Sequence, residues 1–180
     1  DTVAIVTNAG GPGVMTTDAV GDSDLSLAGF ENRTIETLRE SLPEGANVYN
    51  PVDVIGDADA ERFGEALDAA LSDPNVGAAV ALACPTAVLE YANLTEVVAD
   101  RQAAHDLPVV ACLMGGETGQ AAATTLRDAG IPNYFDPARA VSSLEALSAY
   151  REIRNREFAP PMSFDVDRDR AREVLASVQG

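Results

Sequence analysis

Three short apolar runs constrain this chain more than any other feature. They are Val3-Ala4-Ile5-Val6-Thr7, Val76 to Cys84, and Leu107 to Leu113. None alternates with polar residues, so each reads as a strand covered on both faces, as strands of a parallel sheet are. Helical spacing fills the intervals. Ile35, Leu38 and Leu42 mark one helix face, ended by Pro43-Glu44-Gly45. Phe63, Ala66, Leu67, Ala70 and Leu71 mark a second, opened by Asp57 or Asp59 as a cap. Further helices are expected over residues 88 to 104, from Gly115-Gly116 to about Ala129, and around Val141, Leu144 and Leu147. The first helix is expected to run from Pro12 or Gly13 to residue 20. Asp24 to Phe30, part of Asn47 to Ile55, and Asn133-Tyr134-Phe135 read as weaker strands.

Strands alternating with helices in this way define an α/β fold: a parallel sheet with helices on both faces. A flavodoxin-like strand order is expected, with right-handed crossovers. Ligands of such sheets gather at the carboxyl ends of the strands. That edge would carry Asn8 to Gly13, Cys84-Pro85-Thr86 and Met114-Gly115-Gly116-Glu117. The sheet domain is expected to occupy residues 1–152. Residues 153–180 read as a C-terminal linker, around Glu157-Phe158-Ala159-Pro160-Pro161, and a helix with Ala171, Val174, Leu175 and Val178 on one stripe. That stripe has nothing left to pack on, and the chain opens on Asp1-Thr2-Val3 already in strand, without an initiator Met. Both ends suggest a piece of a longer chain.

The length of 180 residues and a hydrophobic share of 46% suffice for one real core. No apolar run approaches the ~20 residues of a membrane span, and no signal peptide is evident. The formal net charge is −17, from 29 acidic and 12 basic residues, and every basic residue is Arg. Such a field repels nucleic acid and anionic lipid, which excludes both as partners. The excess acid without Lys is similar to that of proteins from halophilic archaea, where salt screens self-repulsion. Cys84 and Cys112 have no neighbouring ligand set, so no metal site is expected and a reduced, cytoplasmic pair fits them.

The loop Asn8-Ala9-Gly10-Gly11-Pro12-Gly13 joins a buried strand to a helix. Such a unit aims backbone N–H groups at one spot and suits a phosphate or carboxylate. It also suits a tight turn whose glycines serve only steric needs. It is not a Walker A loop, and Thr16 spoils a G-x-G-x-x-G reading. In Asn50-Pro51-Val52-Asp53, Asp53 either closes a local Asx-turn or steadies the glycine loop. Thr86 either caps the next helix or donates to a bound carboxylate. His105 falls on the amino edge, so no Ser-His-Asp or Cys-His set can be assembled, and no catalytic residue is assigned.

Taken in order, the Val3–Gly13 segment, Asn50-Pro51-Val52-Asp53, Pro85-Thr86 and Gly115-Gly116 resemble the nucleoside-diphosphate-forming acyl-CoA synthetases. The likeness is to the ADP-forming acetate–CoA ligases and to the carboxy-terminal domain of the succinyl-CoA synthetase β subunit. It covers residues 1 to about 150. The resemblance implies an enzyme that passes a phosphoryl group through a histidine held in another domain. It implies that Asn8, Ala9, Gly10, Gly11, Pro12 and Gly13 hold that phosphate at a helix N-terminus, with Asn50 and Asp53 as loop support. Pro85, Thr86, Gly115 and Gly116 would line the acid; the succinate-specific relatives carry a Gly-Gly pair where this chain has Pro85-Thr86. It implies no cofactor held by this domain alone, and CoA, ADP or ATP, and Mg in the full enzyme. The implied partners are CoA-binding, phosphohistidine and ATP-grasp domains, and a small organic acid. The tail would lead into the ATP-grasp domain. Two other readings stay open: a regulatory, acetyltransferase-linked module, and a free-standing domain that binds a small anion or nucleotide.

Overall fold

The computed structural model describes residues 1–157, 162, 164, 165 and 167–178. Its elements run in chain order as β1 (Thr2–Thr7), α1 (Gly10–Gly21), β2 (Ser26–Leu27), α2 (Asn32–Ser41), β3 (Val52–Asp53) and α3 (Ala60–Leu71). There follow β4 (Ala78–Ala83), α4 (Tyr91–His105), β5 (Val109–Leu113), α5 (Gly116–Asp128), β6 (Asn133–Tyr134), α6 (Pro137–Asn155) and α7 (Arg168–Val178). The sheet is parallel with the order β2-β1-β4-β5-β6, and β3 pairs with β1 as well. This is the flavodoxin-like α/β arrangement.

The edge strand beside β1 is split between β2 and β3. β2 pairs with the start of β1, Thr2 opposite Ser26, and β3 with its end, Thr7 opposite Asp53. The gap is filled by one side chain. The Ile5 amide donates to Asn50 Oδ1 at 2.9 Å, while Asn50 Nδ2 donates to the carbonyls of Val3 at 2.8 Å and Ala28 at 3.0 Å. A carboxamide thus replaces a missing piece of strand, which meets the demand that buried backbone groups find partners.

The three continuous apolar runs still alternate. Val3, Ile5, Val80, Leu82 and Cys112 face the layer of α1 and α6, with Val20, Val141 and Leu144. Ala4, Val6, Ala79, Ala81 and Ala83 face the layer of α2 to α5, with Leu38, Phe63, Leu67, Leu94 and Leu126. The alanines of β4 leave room on that side for Phe63, whose full burial is worth ~1.5–3 kcal/mol. α3 and α4 approach closely at Gly64, where an added Cβ would stand 2.2 Å from Val97 Cγ1.

Several boundaries differ from expectation, each for a local reason. α1 begins at Gly10, earlier than Pro12 or Gly13. Amides of a first turn need no intrahelical partner, so Pro12 fits inside it. α4 begins at Tyr91, because residues 84 to 90 run as an irregular loop. α6 continues unbroken through 152 to Asn155, so the charged stretch from Arg151 is helical. Its buried face ends at Leu144, and Leu147 is 46% exposed. The apolar stripe of α7 is exposed throughout. Phe158 to Pro161 of the expected linker lie outside the described residues.

Candidate functional site

The site is built where β1 ends and α1 begins. Ala9 is the N-cap, in extended conformation, and no side chain caps the helix. Thr7 Oγ1 accepts from the Ala9 amide at 3.1 Å, which turns the chain off the strand. Pro12 has no N–H, and the Gly13 amide bonds to the Ala9 carbonyl at 3.1 Å. The amides of Gly10 and Gly11 have no hydrogen-bond partner among the described residues, and both glycines are exposed. The start of a helix concentrates positive potential, so two free donors there attract an anion.

The glycines differ in what they allow. A Cβ on Gly13 would sit 3.1 Å from the Thr7 methyl group, so the helix starts hard against the strand end. A Cβ on Gly10 would sit 3.3 Å from Asp53 Oδ2. Nothing lies within 4 Å of a Cβ on Gly11, where the backbone meets open space.

The neighbouring residues have structural partners. Asn8 is 3% exposed, and its carboxamide pairs with the Cys84 main chain: Nδ2 donates to the carbonyl at 2.9 Å, and the Cys84 amide donates to Oδ1 at 2.8 Å. The side chain therefore joins the ends of β1 and β4. Asn50 fills the strand gap described above. Asp53 makes the Asx-turn, accepting from the Ile55 amide at 2.9 Å through Oδ1, and its Oδ2 lies against Gly10. Of the two readings of Asp53, the Asx-turn is the one a hydrogen bond realises.

Two further loops meet at the same edge. Thr86 Oγ1 accepts from the Leu89 amide at 3.1 Å, inside the loop rather than at the α4 terminus. Pro85 packs on Gly115, where an added Cβ would fall 2.3 Å from Pro85 Cγ. Gly115 has φ +113° and Gly116 φ +61°, conformations that favour glycine, and α5 starts there with no side-chain cap. Tyr91, which the sequence did not single out, holds these loops from below. Its phenol oxygen lies 2.8 Å from the Ala83 carbonyl and 2.6 Å from the Met114 carbonyl, sharing one proton between them. Asn133 Oδ1 likewise accepts from the Leu113 amide at 3.0 Å. No local pattern announces these roles, since each depends on a strand distant in sequence.

Side-chain chemistry at this edge is quiet. Cys84 Sγ lies 3.8 Å from Met114 Sδ, and burial pushes its thiol up. Cys112 is pushed up to about 12 by burial and then by the charges of Asp136 and Cys84. Both stay protonated at neutral pH and are poor nucleophiles. His105 ends α4 and pairs with Asp68 Oδ1 at 2.9 Å, away from the site. Among the described residues, no group of three or more His, Cys, Asp or Glu is placed to hold a metal ion. A groove of about 500 Å³ beside α2 and α3, lined by Arg33, Asp68 and Arg101, lies away from the glycine loop.

Free main-chain donors thus stand at the carboxyl edge of a doubly covered parallel sheet, the edge where α/β folds of this class collect their ligands. The chain belongs to the Ligase-CoA domain family, whose model matches residues 3–160. It is 40% identical over 174 residues to acetate–CoA ligase [ADP-forming] I of Archaeoglobus fulgidus, covering 96% of this chain and 24% of that protein. It is 29% identical over 177 residues to 4-hydroxybutyrate–CoA ligase [ADP-forming] of Nitrosopumilus maritimus, covering 98% and 25%. Among solved structures it resembles the dinucleotide forming acetyl-coenzyme A synthetase 1 of Ca. Korarchaeum cryptofilum, with a TM-score of 0.78 and 30% identity over 85% of this chain and 34% of that one. The chain therefore spans about a quarter of the length of these curated relatives.

Proposed function

We propose that this chain is one domain of an ADP-forming acid–CoA ligase, which converts acyl-CoA, ADP and phosphate to the free acid, ATP and CoA. Its part is to present the α1 N-terminus to a phosphohistidine carried by another domain. The observation that carries this reading is the pair of uncapped, exposed amides at Gly10 and Gly11. Phosphoryl transfer depends on positioning and charge stabilisation, and fixed amides supply both without side-chain acids or bases. Asp53 and Asn50 support the loop. Pro85, Thr86, Gly115 and Gly116 form part of the acid's wall. The chain is similar to ligases named for acetate and for 4-hydroxybutyrate, and in this reading local residues such as these choose the acid.

The partners in this reading are CoA-binding, phosphohistidine and ATP-grasp domains, which also hold CoA, the adenine nucleotide and Mg. Residues 1–152 are the sheet domain, and 153–180 lead toward the ATP-grasp domain. Support for the second part comes from α7, which buries none of its apolar stripe. The charge of −17 without Lys fits a cytoplasm of high salt.

The test is Gly11→Glu in the assembled ligase. The position is sterically open, so the fold accepts the side chain. The added carboxylate at the helix start should abolish phosphoenzyme formation from radioactive ATP, whereas Gly11→Ala should preserve it. Normal labelling of Gly11→Glu overturns the proposal.

A further inference from the structure

Tyr91 is the first residue of α4, and its hydroxyl serves two strand ends rather than its own helix. The side chain is 4% exposed. The two carbonyls it reaches are those just before the loops. Ala83 precedes Cys84-Pro85-Thr86, and Met114 precedes Gly115-Gly116. One hydroxyl therefore ties both halves of the wall assigned to the acid. The Ala83 carbonyl also accepts from the Met114 amide at 2.9 Å. The Met114 carbonyl has no hydrogen-bond partner besides Tyr91 among the described residues.

That single bond controls more than its own carbonyl. The Met114–Gly115 peptide is trans, and in a planar trans unit C=O and N–H point in opposite directions. Holding the carbonyl toward the buried phenol turns the Gly115 amide away from it. Gly115 is exposed, and its amide has no partner among the described residues. With φ at +113° and +61°, Gly115 and Gly116 have no side chains to restrain them, so an unanchored peptide there is free to rotate. Burial pushes the Tyr91 phenol up, so it remains a donor at neutral pH.

Resting on the function proposed above, we propose that Tyr91 is a positioning residue for the organic acid: through the Met114 carbonyl it aims the Gly115 amide at the acid's carboxylate. Being buried, Tyr91 acts through the main chain and not on the acid itself. A donor fixed before the ligand arrives needs no ordering on binding, so loss of the phenol falls on the affinity for the acid.

The experiment is Tyr91→Phe in the assembled ligase, with acetate and 4-hydroxybutyrate as the acids. The KM for the acid should rise at least fivefold, while the KM values for CoA and ATP and phosphoenzyme formation from ATP stay within twofold of the parent. Tyr91→3-fluorotyrosine, which keeps the donor, should restore the acid KM. Gly64→Ala, a destabilised control far from these loops, should leave it unchanged. In the parent, a saturating acid should slow hydrogen–deuterium exchange of the peptide spanning Met114 to Glu117, a measurement that needs no variant to fold. An unchanged acid KM in Tyr91→Phe, an equal rise in all three KM values, or unprotected exchange at that peptide overturns the role while a working parent leaves the ligase reading intact. A parent that forms no acyl-CoA from either acid overturns both.

Discussion

At the scale of single residues, asparagine carboxamides do the work of backbone. Asn8 continues the ladder from β1 to β4, and Asn50 bridges the break between β2 and β3. Asn50→Ala should strip partners from the Ile5 amide and the Ala28 carbonyl and lower stability by roughly 2–4 kcal/mol, read by urea unfolding. Asn50→Asp should also destabilise, because it keeps the acceptor for Ile5 and loses both donated bonds. A neutral Asn50→Ala would show that water replaces the side chain. The buried thiol and phenol add a pH dependence. Cys112 rises from 9.0 to about 12 in the folded chain, and burial raises Tyr91 above 10.0. Above pH 9 the unfolded chain releases protons that the folded chain keeps, so ν_U falls below ν_N and stability declines as pH rises. Urea midpoints should be flat near neutrality and fall between about pH 9 and 12. Cys112→Ala should flatten part of that fall. The Asn8 and Asn50 bonds cross long stretches of sequence, which is why the sequence suggested a loop but not its partners.

At the scale of elements, the fit of helix to helix decides more than propensity. Gly64 lets α3 approach α4 at Val97. Gly64→Ala should cost about 1–3 kcal/mol by overpacking, despite the better helix propensity of Ala. Val97→Ala in the same chain should recover part of the loss, and a double-mutant cycle by thermal or urea unfolding measures the coupling. The same scale explains what was legible. Strands β1, β4 and β5 and helix α3 were plain in the sequence, because long apolar runs and a strong amphipathic pattern survive any context. Asp59 caps α3 as expected, accepting from the Arg62 amide at 2.9 Å. The start of α1 was misplaced because two glycines and a proline look like a loop, yet all three are compatible with a first turn. The far half of α6 kept a helical pattern in Leu147 that no neighbour buries.

For the whole molecule, charge is the dominant unsettled force. With −17 spread over 180 residues, self-repulsion opposes compaction until salt screens it. Raising KCl from about 0.1 to 2 M shortens the Debye length from ~10 Å to below 3 Å, so the thermal midpoint should climb steadily across that range. A midpoint that stays level would remove the argument for a saline cytoplasm. The chain spans about a quarter of the length of the curated acetate–CoA and 4-hydroxybutyrate–CoA ligases it is similar to. The sequence by itself determined the parallel sheet, the two-sided core and the glycine loop, because burial patterns and turn chemistry are local properties of the chain. Only the tertiary structure decided that the Gly10 and Gly11 amides stay free while Asn8 and Thr86 are engaged. Satisfying a hydrogen bond depends on which distant backbone arrives within 3 Å, and no local stretch of residues carries that distance.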